Sequence, residues 1–597
     1  MREYSSPLSI EIPDTGNLTD DVVRNATEAP TSVTFSRPSD QGWSDVTSAE
    51  FLAEVVAAAK GLVAAGVEVG DRVAILSRTR YEWTLLDYAI WFAGAVTVPV
   101  YETSSAEQIG WILQDSGAKA IVVETPEHAA RIHEARGVAQ ITELEHVWTI
   151  DDGAIATLGE LGVAVTDDDL ERRRTTATPL DVATLIYTSG TTGKPKGCML
   201  THGNFMFELG VAVHELKDLF DRKDASTLLF LPLAHVFARI IQIGCIKSRA
   251  RLGHSADIKN LVADLGVFQP TFILAVPRVF EKVFNTASQN AAADGKGKIF
   301  NRAADVAIAW SRGQDTGKVP LSIRLQHALF DKLVYGKLRA ALGGNCEHAV
   351  SGGAPLGDRL GHFYRGVGLT ILEGYGLTET TAALTVNLPD LVKVGTVGRP
   401  IPGTAVRVAD DGELLFKGGQ VMAGYWNNEA ATSEILERDG WFHTGDVGEI
   451  DDEGFVRITG RKKEIIVTAG GKNVAPAVLE DRLRAHLLID QCLVVGDGQP
   501  FIAALITIDA ETLPTWAEMN GKTGTFAQLV EDEDLRAVID EAVAEANKAV
   551  SKAESIRKYA ILPQSWTEES GQLTASMKLK RNVVMRDHRK DVDSLYA

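Results

Sequence analysis

The first few hundred residues alternate between two kinds of apolar pattern. From Thr47, the run Glu50 to Gly66 sets its apolar residues at helical spacing and ends on a glycine, and Val73–Leu76 follows as a short, unbroken apolar stretch. The spacing predicts a helix and then a buried strand. Tyr81 to Phe92 reads as a second helix, Thr97–Val100 as a short strand and Ile121–Val123 as another. This alternation predicts an α/β fold, with helices layered on largely parallel sheets. No fixed-period repeat is visible, which sets solenoids and propellers aside.

After about Asp446 the pattern changes. Val447–Ile450 and Phe455–Ile458 alternate like strands around Asp451-Asp452-Glu453-Gly454, a hairpin-type turn. Beyond it, Ala475 to His486 reads as a helix, Cys492–Val495 and Ala503–Ile508 as strands, and Asp532 to Ala553 as a long amphipathic helix. The chain therefore divides into a large domain, residues 1–460, and a small α+β domain, residues 461–597.

Length supports the division, since 597 residues exceed what one core holds. Sixty Lys and Arg against eighty Asp and Glu give a net charge of -20, which disfavours a nucleic-acid partner. Cys198, Cys245, Cys346 and Cys492 are too scattered for a zinc site or a disulfide framework and read as buried thiols in a reducing compartment. Met1 to Asp20 has no basic segment followed by an apolar one, so export is disfavoured and a cytoplasmic location expected. The most apolar stretch, Leu228 to Ile246, is broken by Pro232, His235, Arg239 and Gln242; it reads as core or pocket lining and not as a membrane span.

The densest local signal is Leu185-Ile186-Tyr187-Thr188-Ser189-Gly190-Thr191-Thr192-Gly193-Lys194-Pro195-Lys196-Gly197, a buried strand entering a loop of hydroxyls, glycines and lysines. Such a loop suits a polyphosphate: glycines let backbone N–H groups approach, hydroxyls donate, and lysines offset charge. It is not a Walker A sequence, because Thr188 stands where the first glycine belongs and Pro195 follows Lys194. A flexible surface turn would account for the Gly and Thr content but not for so many donors after a buried strand.

With Glu373-Gly374-Tyr375-Gly376-Leu377-Thr378-Glu379-Thr380, Thr444-Gly445-Asp446 and Gly460-Arg461-Lys462-Lys463, this loop resembles the adenylate-forming superfamily of acyl-CoA synthetases, luciferases and peptide-synthetase adenylation domains. Tyr101-Glu102-Thr103-Ser104-Ser105 and Gly471-Lys472-Asn473-Val474-Ala475-Pro476 are similar to its long-chain fatty acyl branch. The resemblance implies a mobile small domain closing over the large one. It also implies that Thr188 to Lys194 and Lys196 hold the ATP phosphates.

The resemblance further implies that, within the Glu373–Thr380 motif, Tyr375 stacks on adenine, Thr378 reaches the α-phosphate and Glu379 holds Mg²⁺, with Glu373, Gly374 and Gly376 also at the nucleotide. Taken alone, Glu379 reads more often as a solvated acid at a helix end. Ser351-Gly352-Gly353-Ala354-Pro355 lines the adenine and acyl pockets in the family, and alone reads as a strand-to-helix turn. Asp446 and Arg461 take the ribose. Lys463 falls at the domain hinge, where a solvated lysine is the simplest reading of the residue by itself.

In Leu573-Thr574-Ala575-Ser576-Met577-Lys578-Leu579-Lys580-Arg581 the family's catalytic lysine is carried over to Lys578, although Met577 replaces the usual preceding glycine and leaves Lys580 as the alternative register. Without the family, this basic segment reads equally as a lipid-headgroup site. His235 borders the acyl pocket and the thiol approach, a gate position, whereas an isolated histidine in an apolar run is usually a satisfied core residue. Some long-chain members carry a gating tryptophan shortly after it; here Phe237 and Arg239 occupy that stretch. Val276–Glu281 also resembles the long-chain branch, and its spacing is equally that of a packed helix start.

The implied reaction is that of a long-chain fatty acid–CoA ligase: a fatty carboxylate attacks MgATP to form an acyl adenylate, and coenzyme A then takes the acyl group. A fatty acyl-AMP ligase loading an acyl carrier protein, a luciferase-type oxygenase and a non-catalytic acyl or nucleotide sensor are the rivals. Peripheral membrane contact fits a lipid-handling enzyme, and a homodimer is a family-level expectation.

Overall fold

The computed structural model describes residues 1–39, 42–188, 194–257, 260–567, 570–574 and 578–597. The expected helices form where the pattern places them. Ser48–Ala64 starts at Thr47, whose hydroxyl accepts from the Glu50 amide while the Glu50 carboxylate accepts from the Thr47 amide, a reciprocal cap. Tyr81–Phe92 is buried almost all round, as a helix apolar on every face must be.

Two sheets position the cleft. In the seven-stranded sheet, Val182–Thr188, Val96–Val100, Arg72–Leu76, Ala118–Val123 and His146–Thr149 run parallel, with Lys196–Thr201 and Gly424–Tyr425 added antiparallel at one edge. In a five-stranded sheet, Phe272–Ala275, His348–Ser351 and Thr370–Tyr375 are parallel neighbours, followed by Thr385–Val386 and Arg399–Pro400. The carboxyl ends of Val182–Thr188, His348–Ser351 and Thr370–Tyr375 all open on one cleft, the usual place for ligands in parallel sheets.

The predicted hairpin is present as Phe442–Ile450 paired with Val456–Arg461. It forms one edge of an antiparallel five-stranded sheet whose other edge is Glu3–Ser5. Apolar clusters within the first 460 residues and those from Ile466 onward are separate, giving a large domain and a small one. In the small domain, Ile489–Val495, Ile502–Ile508 and Ile556–Leu562 form the sheet.

One helix is shorter than its pattern. Asp532–Ala553 was expected, but the helix spans Glu533–Asn547. Asn547 ends it: its side chain donates to the Ile556 carbonyl at 3.0 Å and accepts from the Ile556 amide at 2.8 Å, tying the chain into the next strand.

Leu228 to Ile246 lies inside the protein as the strand Ser226–Leu229 and the helix Val236–Ser248. Among the described residues no helix is long and apolar enough to cross a membrane. All four cysteines are buried and unbridged. Arg239 points into the core and not toward the cleft. Its guanidinium donates to both Asp87 oxygens at 2.6 and 2.8 Å and to the Thr184 hydroxyl at 2.6 Å, and lies 5.5 and 5.3 Å from the Trp83 and Trp91 rings. Both charges are fully buried, so each depends on the other for compensation.

Asp87→Ala is expected to cost the large domain about 3–5 kcal/mol by leaving that guanidinium uncompensated. Urea unfolding followed by tryptophan fluorescence checks this. The double substitution Asp87→Leu with Arg239→Met should recover most of the loss, because an apolar pair removes both charges.

Candidate active site

The cleft has a volume of about 2750 Å³ and is walled by both domains. One side begins at Thr188, the last residue of its strand, which pairs with Lys196 across the hairpin. Ser189, Gly190, Thr191, Thr192 and Gly193 lie outside the described residues. The two lysines beyond them sit on aromatic faces: Lys194 Nζ is 4.0 Å from the Trp111 ring centre and Lys196 Nζ is 5.0 Å from that of Tyr425. Trp111 is itself fixed by donating from Nε1 to the Pro195 carbonyl at 2.8 Å. Both cations line the cleft.

The strand Thr370–Tyr375 delivers the next group. A Cβ on Gly376 would lie 1.4 Å from the Ala382 carbonyl oxygen, so only glycine fits this crossing. The chain turns back through Thr381 at φ 54° and Ala382 at φ 97°, left-handed backbone that side chains disfavour, and that strain sits on the motif itself. Tyr375 donates its hydroxyl to Asp446 at 2.5 Å, and the Glu379 carboxylate accepts from Tyr425 at 2.8 Å. Thr378 opens a short 3₁₀ turn and lines the cleft. Glu373 accepts from the Leu356 amide at 3.2 Å, and burial raises its carboxyl to about 7.

Ser351-Gly352-Gly353-Ala354-Pro355 leaves the neighbouring strand His348–Ser351. Gly352 packs against the Gly374 carbonyl and the Phe237 ring, while Gly353 to Pro355 are exposed toward the cleft. Ser351 is buried behind the lining, its hydroxyl without a partner.

Asp446 and Arg461 are direct cross-strand partners in the hairpin, with Arg461 Nε 3.0 Å from Asp446 Oδ1. Burial raises the Asp446 carboxyl, and Arg461 and the Tyr375 hydroxyl oppose that rise. Lys462 turns away to Asp411 and Glu413, at 2.5 and 2.9 Å. Lys463 is exposed at the lip.

From the small domain, Lys578 enters the same cleft. Its loop is closed by the Thr574 amide donating to the Lys578 carbonyl at 2.8 Å and the Lys578 amide donating to the Thr574 hydroxyl at 3.0 Å. Arg581 pins the loop to its own domain, 2.6 and 2.9 Å from the two Glu480 oxygens. Desolvation in the cleft and the charge of Arg461 lower the Lys578 ammonium, while Asp446 and Glu379 raise it. Lys580 also borders the cleft.

His235 caps the helix Val236–Ser248, its Nδ1 accepting from the Phe237 amide at 3.2 Å. Desolvation and then the Lys578 charge lower its imidazole to about 4, so it is neutral at physiological pH. His235 is thus both a helix cap and part of the cleft wall.

Three contributors escaped the sequence reading. Trp111, just past the Tyr101–Ser105 motif, and Tyr425 carry no local signal of a place in the cleft. Glu208 did carry one, a single acid inside Phe205-Met206-Phe207-Glu208-Leu209. It is buried in the cleft wall, burial holds its carboxyl far above the usual range, Oε1 accepts from the Ala383 amide at 3.2 Å, and Oε2 has no partner.

A constellation of two positioned lysines, an aromatic hydroxyl on a buried carboxylate, a second carboxylate and a third lysine from a separate domain is that of a nucleotide-dependent ligase cleft, and the chain belongs to the AMP-binding enzymes of the adenylate-forming superfamily. The AMP-binding enzyme model matches residues 22–426 and the AMP-binding enzyme C-terminal domain model residues 463–597. The chain is 53% identical, over 100% of both chains, to long-chain-fatty-acid–CoA ligase FadD15 of Mycobacterium bovis. It is 30% identical to human long-chain-fatty-acid–CoA ligase 1 over 88% of this chain and 78% of that one. Among solved structures, the anthranilate CoA ligase AuaEII in complex with anthranoyl-AMP shares the fold, with a TM-score of 0.71 at 20% identity over 98% of this chain and 99% of that one.

Glu373 yields a pH prediction with a defined sign. Its folded value of about 7 lies above the ordinary 4.5, so the fold binds the proton more tightly. The contribution is fully present below the unfolded value and is lost as pH rises toward 7. Glu373→Gln is expected to gain roughly 1–3 kcal/mol over the wild type at pH 8 and little at pH 4, read from paired urea titrations.

Proposed function

We propose that this protein is a long-chain fatty acid–CoA ligase, which activates the acid with MgATP as an acyl adenylate and passes the acyl group to coenzyme A. The observation that carries this reading is the 53% identity with ligases of that name over the whole of both chains.

In the first half-reaction a carboxylate oxygen of the fatty acid bonds to the α-phosphorus, and the bond to pyrophosphate breaks. No proton transfer is required, so the protein's task is positioning and charge stabilisation. Asp446 and Arg461 hold the ribose, Tyr375 and the turn Gly352–Pro355 flank the adenine, and Lys194, Lys196, Thr188 and Thr378 face the phosphates. Lys578 supplies positive charge where carboxylate and α-phosphate meet. Its electrostatic coupling to Asp446, Glu379 and His235 supports Lys578 over Lys580 for this role.

Among the described residues no cluster of three metal-ligating side chains exists. That fits Mg²⁺, which is held by one or two carboxylates together with substrate phosphates. Glu379 fits as that carboxylate: Tyr425 occupies Oε1. Bound there, the ion would neutralise charge between the phosphates.

In the second half-reaction the coenzyme A thiol gives up its proton to solvent, its sulfur bonds to the acyl carbonyl carbon, and the bond from that carbon to the AMP phosphate oxygen breaks. The small domain, from about Arg461, turns at Lys463, withdraws Lys578 and presents the thiol path beside His235, a hinge movement. A neutral His235 suits that path, since it adds no cation to attract a competing anion.

Lys578→Ala is expected to slow fatty-acid-dependent exchange of labelled pyrophosphate into ATP by about a hundredfold or more. Transfer from supplied acyl adenylate to coenzyme A should stay near wild type; equal loss in both assays would refute the division of labour. For the overall reading, AMP release is measured with acids from acetate to eicosanoate, with and without coenzyme A. A long-chain optimum that requires coenzyme A supports the ligase, whereas adenylate formation indifferent to coenzyme A points to carrier-protein loading.

A further inference from the structure

The helix Leu321–Phe330 and the turn that continues it carry a row of leucines that nothing covers. Leu321, Leu325, Leu329 and Leu333 are 71%, 66%, 56% and 53% exposed, and their spacing of four places them along one ridge. Ile299, at 50%, joins them from the helix Gly297–Asp315. The two helices are locked side by side: Arg302 donates to Gln326 Oε1 at 2.7 Å, one turn beyond Ile299. The opposite face is firmly seated. Tyr335 donates its hydroxyl to the Ala303 carbonyl at 2.7 Å, and His327 stacks on Trp310 with ring centres 4.3 Å apart. The ridge is thus held rigidly outward.

Charge surrounds it. Between Lys296 and Arg339 nine Lys and Arg stand against three Asp and no Glu, in a chain whose net charge is -20. Lys298, Lys318, Arg324, Lys332 and Lys337 are all exposed.

We infer that this ridge is a docking surface for an anionic phospholipid bilayer, with the leucines entering the acyl boundary and the lysines meeting the headgroups. A rigid apolar ridge flanked by basic residues is the composition of an interfacial helix, and lysine stems reach from apolar surface to phosphate. Lysine content argues against a protein partner, a second copy included, because protein interfaces are depleted of lysine and enriched in aromatics. The same helix Gly297–Asp315 brings Arg312 to the rim of the cleft, about 20 Å along the helix axis from Ile299. Docking would therefore bring the mouth of the cleft near the membrane in which long-chain acids dissolve. Only that purpose rests on the ligase reading; the docking itself does not.

The test is co-sedimentation of the full chain, without substrates, on vesicles of phosphatidylcholine containing about one quarter phosphatidylglycerol. The wild type is expected to bind these vesicles, to bind pure phosphatidylcholine at least tenfold less well, and to release with added salt. Leu325→Ser with Leu329→Ser, and separately Lys318→Glu with Lys332→Glu, should each cut binding at least tenfold while adenylation of a water-soluble acid stays unchanged. Absent wild-type binding, or serine variants that bind as well as wild type, would overturn the proposal. So would a wild-type dimer that the serine substitutions dissociate, because the ridge would then be a subunit interface. Loss of adenylation in the wild type would instead count against the ligase and leave the vesicle result standing.

Discussion

A carboxylate buried in the middle of a strand is costly unless its charge is met, and Asp446 is met from three directions. Tyr375 arrives from the neighbouring parallel sheet, Arg461 from the partner strand, and the field of Lys578 from the other domain. The first two come from different sheets, which backbone bonds between Val397–Gly398 and Val456 also tie together. The strand Thr370–Tyr375 and the hairpin Phe442–Arg461 lie in different sheets, and the shared carboxylate registers them. Removing that charge would leave the Tyr375 hydroxyl and the Arg461 guanidinium without their shared partner and take away an attraction on Lys578.

The large architecture was legible because it rests on periodicity. Tyr81 to Phe92 and Thr47 onward were read closely, since an all-apolar helix and a reciprocal cap leave unambiguous local patterns. The end of Glu533–Asn547 was missed because a side chain reaching Ile556 stops it, and no window of the sequence shows that partner. The edge strand Glu3–Ser5 was missed for the same reason: its partner lies some four hundred residues away. In the cleft, the motifs named residues but not their supports. Trp111 beneath Lys194 and Tyr425 beneath Glu379 and Lys196 come from distant strands and helices, so only the fold brings them in.

Arg239 shows how position along the chain misleads about position in space. It follows His235 by four residues, one helical turn, and was grouped with the gate. On the helix Val236–Ser248 the cleft takes Phe237, Ile240 and Ile241, while Arg239 points to Asp87. Two of the interruptions that argued against a membrane span, Arg239 and Gln242, thus belong to a buried network, Gln242 donating to Asp87 at 3.0 Å.

The two domains meet through charges and not through a shared apolar core. Arg278 lies 2.8 Å from Asp490 and 3.4 Å from Asp509, and Lys282 lies 2.9 Å from Glu511, all of them at least partly exposed. Pairs of this kind are worth little individually and separate without exposing apolar surface. An apolar interface of the same extent would hold one arrangement and forbid the other. The proposed reaction, with Lys578 in the cleft for one step and out of it for the next, would be served by weak contacts between domains and strong ones within them, and Arg581 on Glu480 would keep the lysine's loop intact through such a movement.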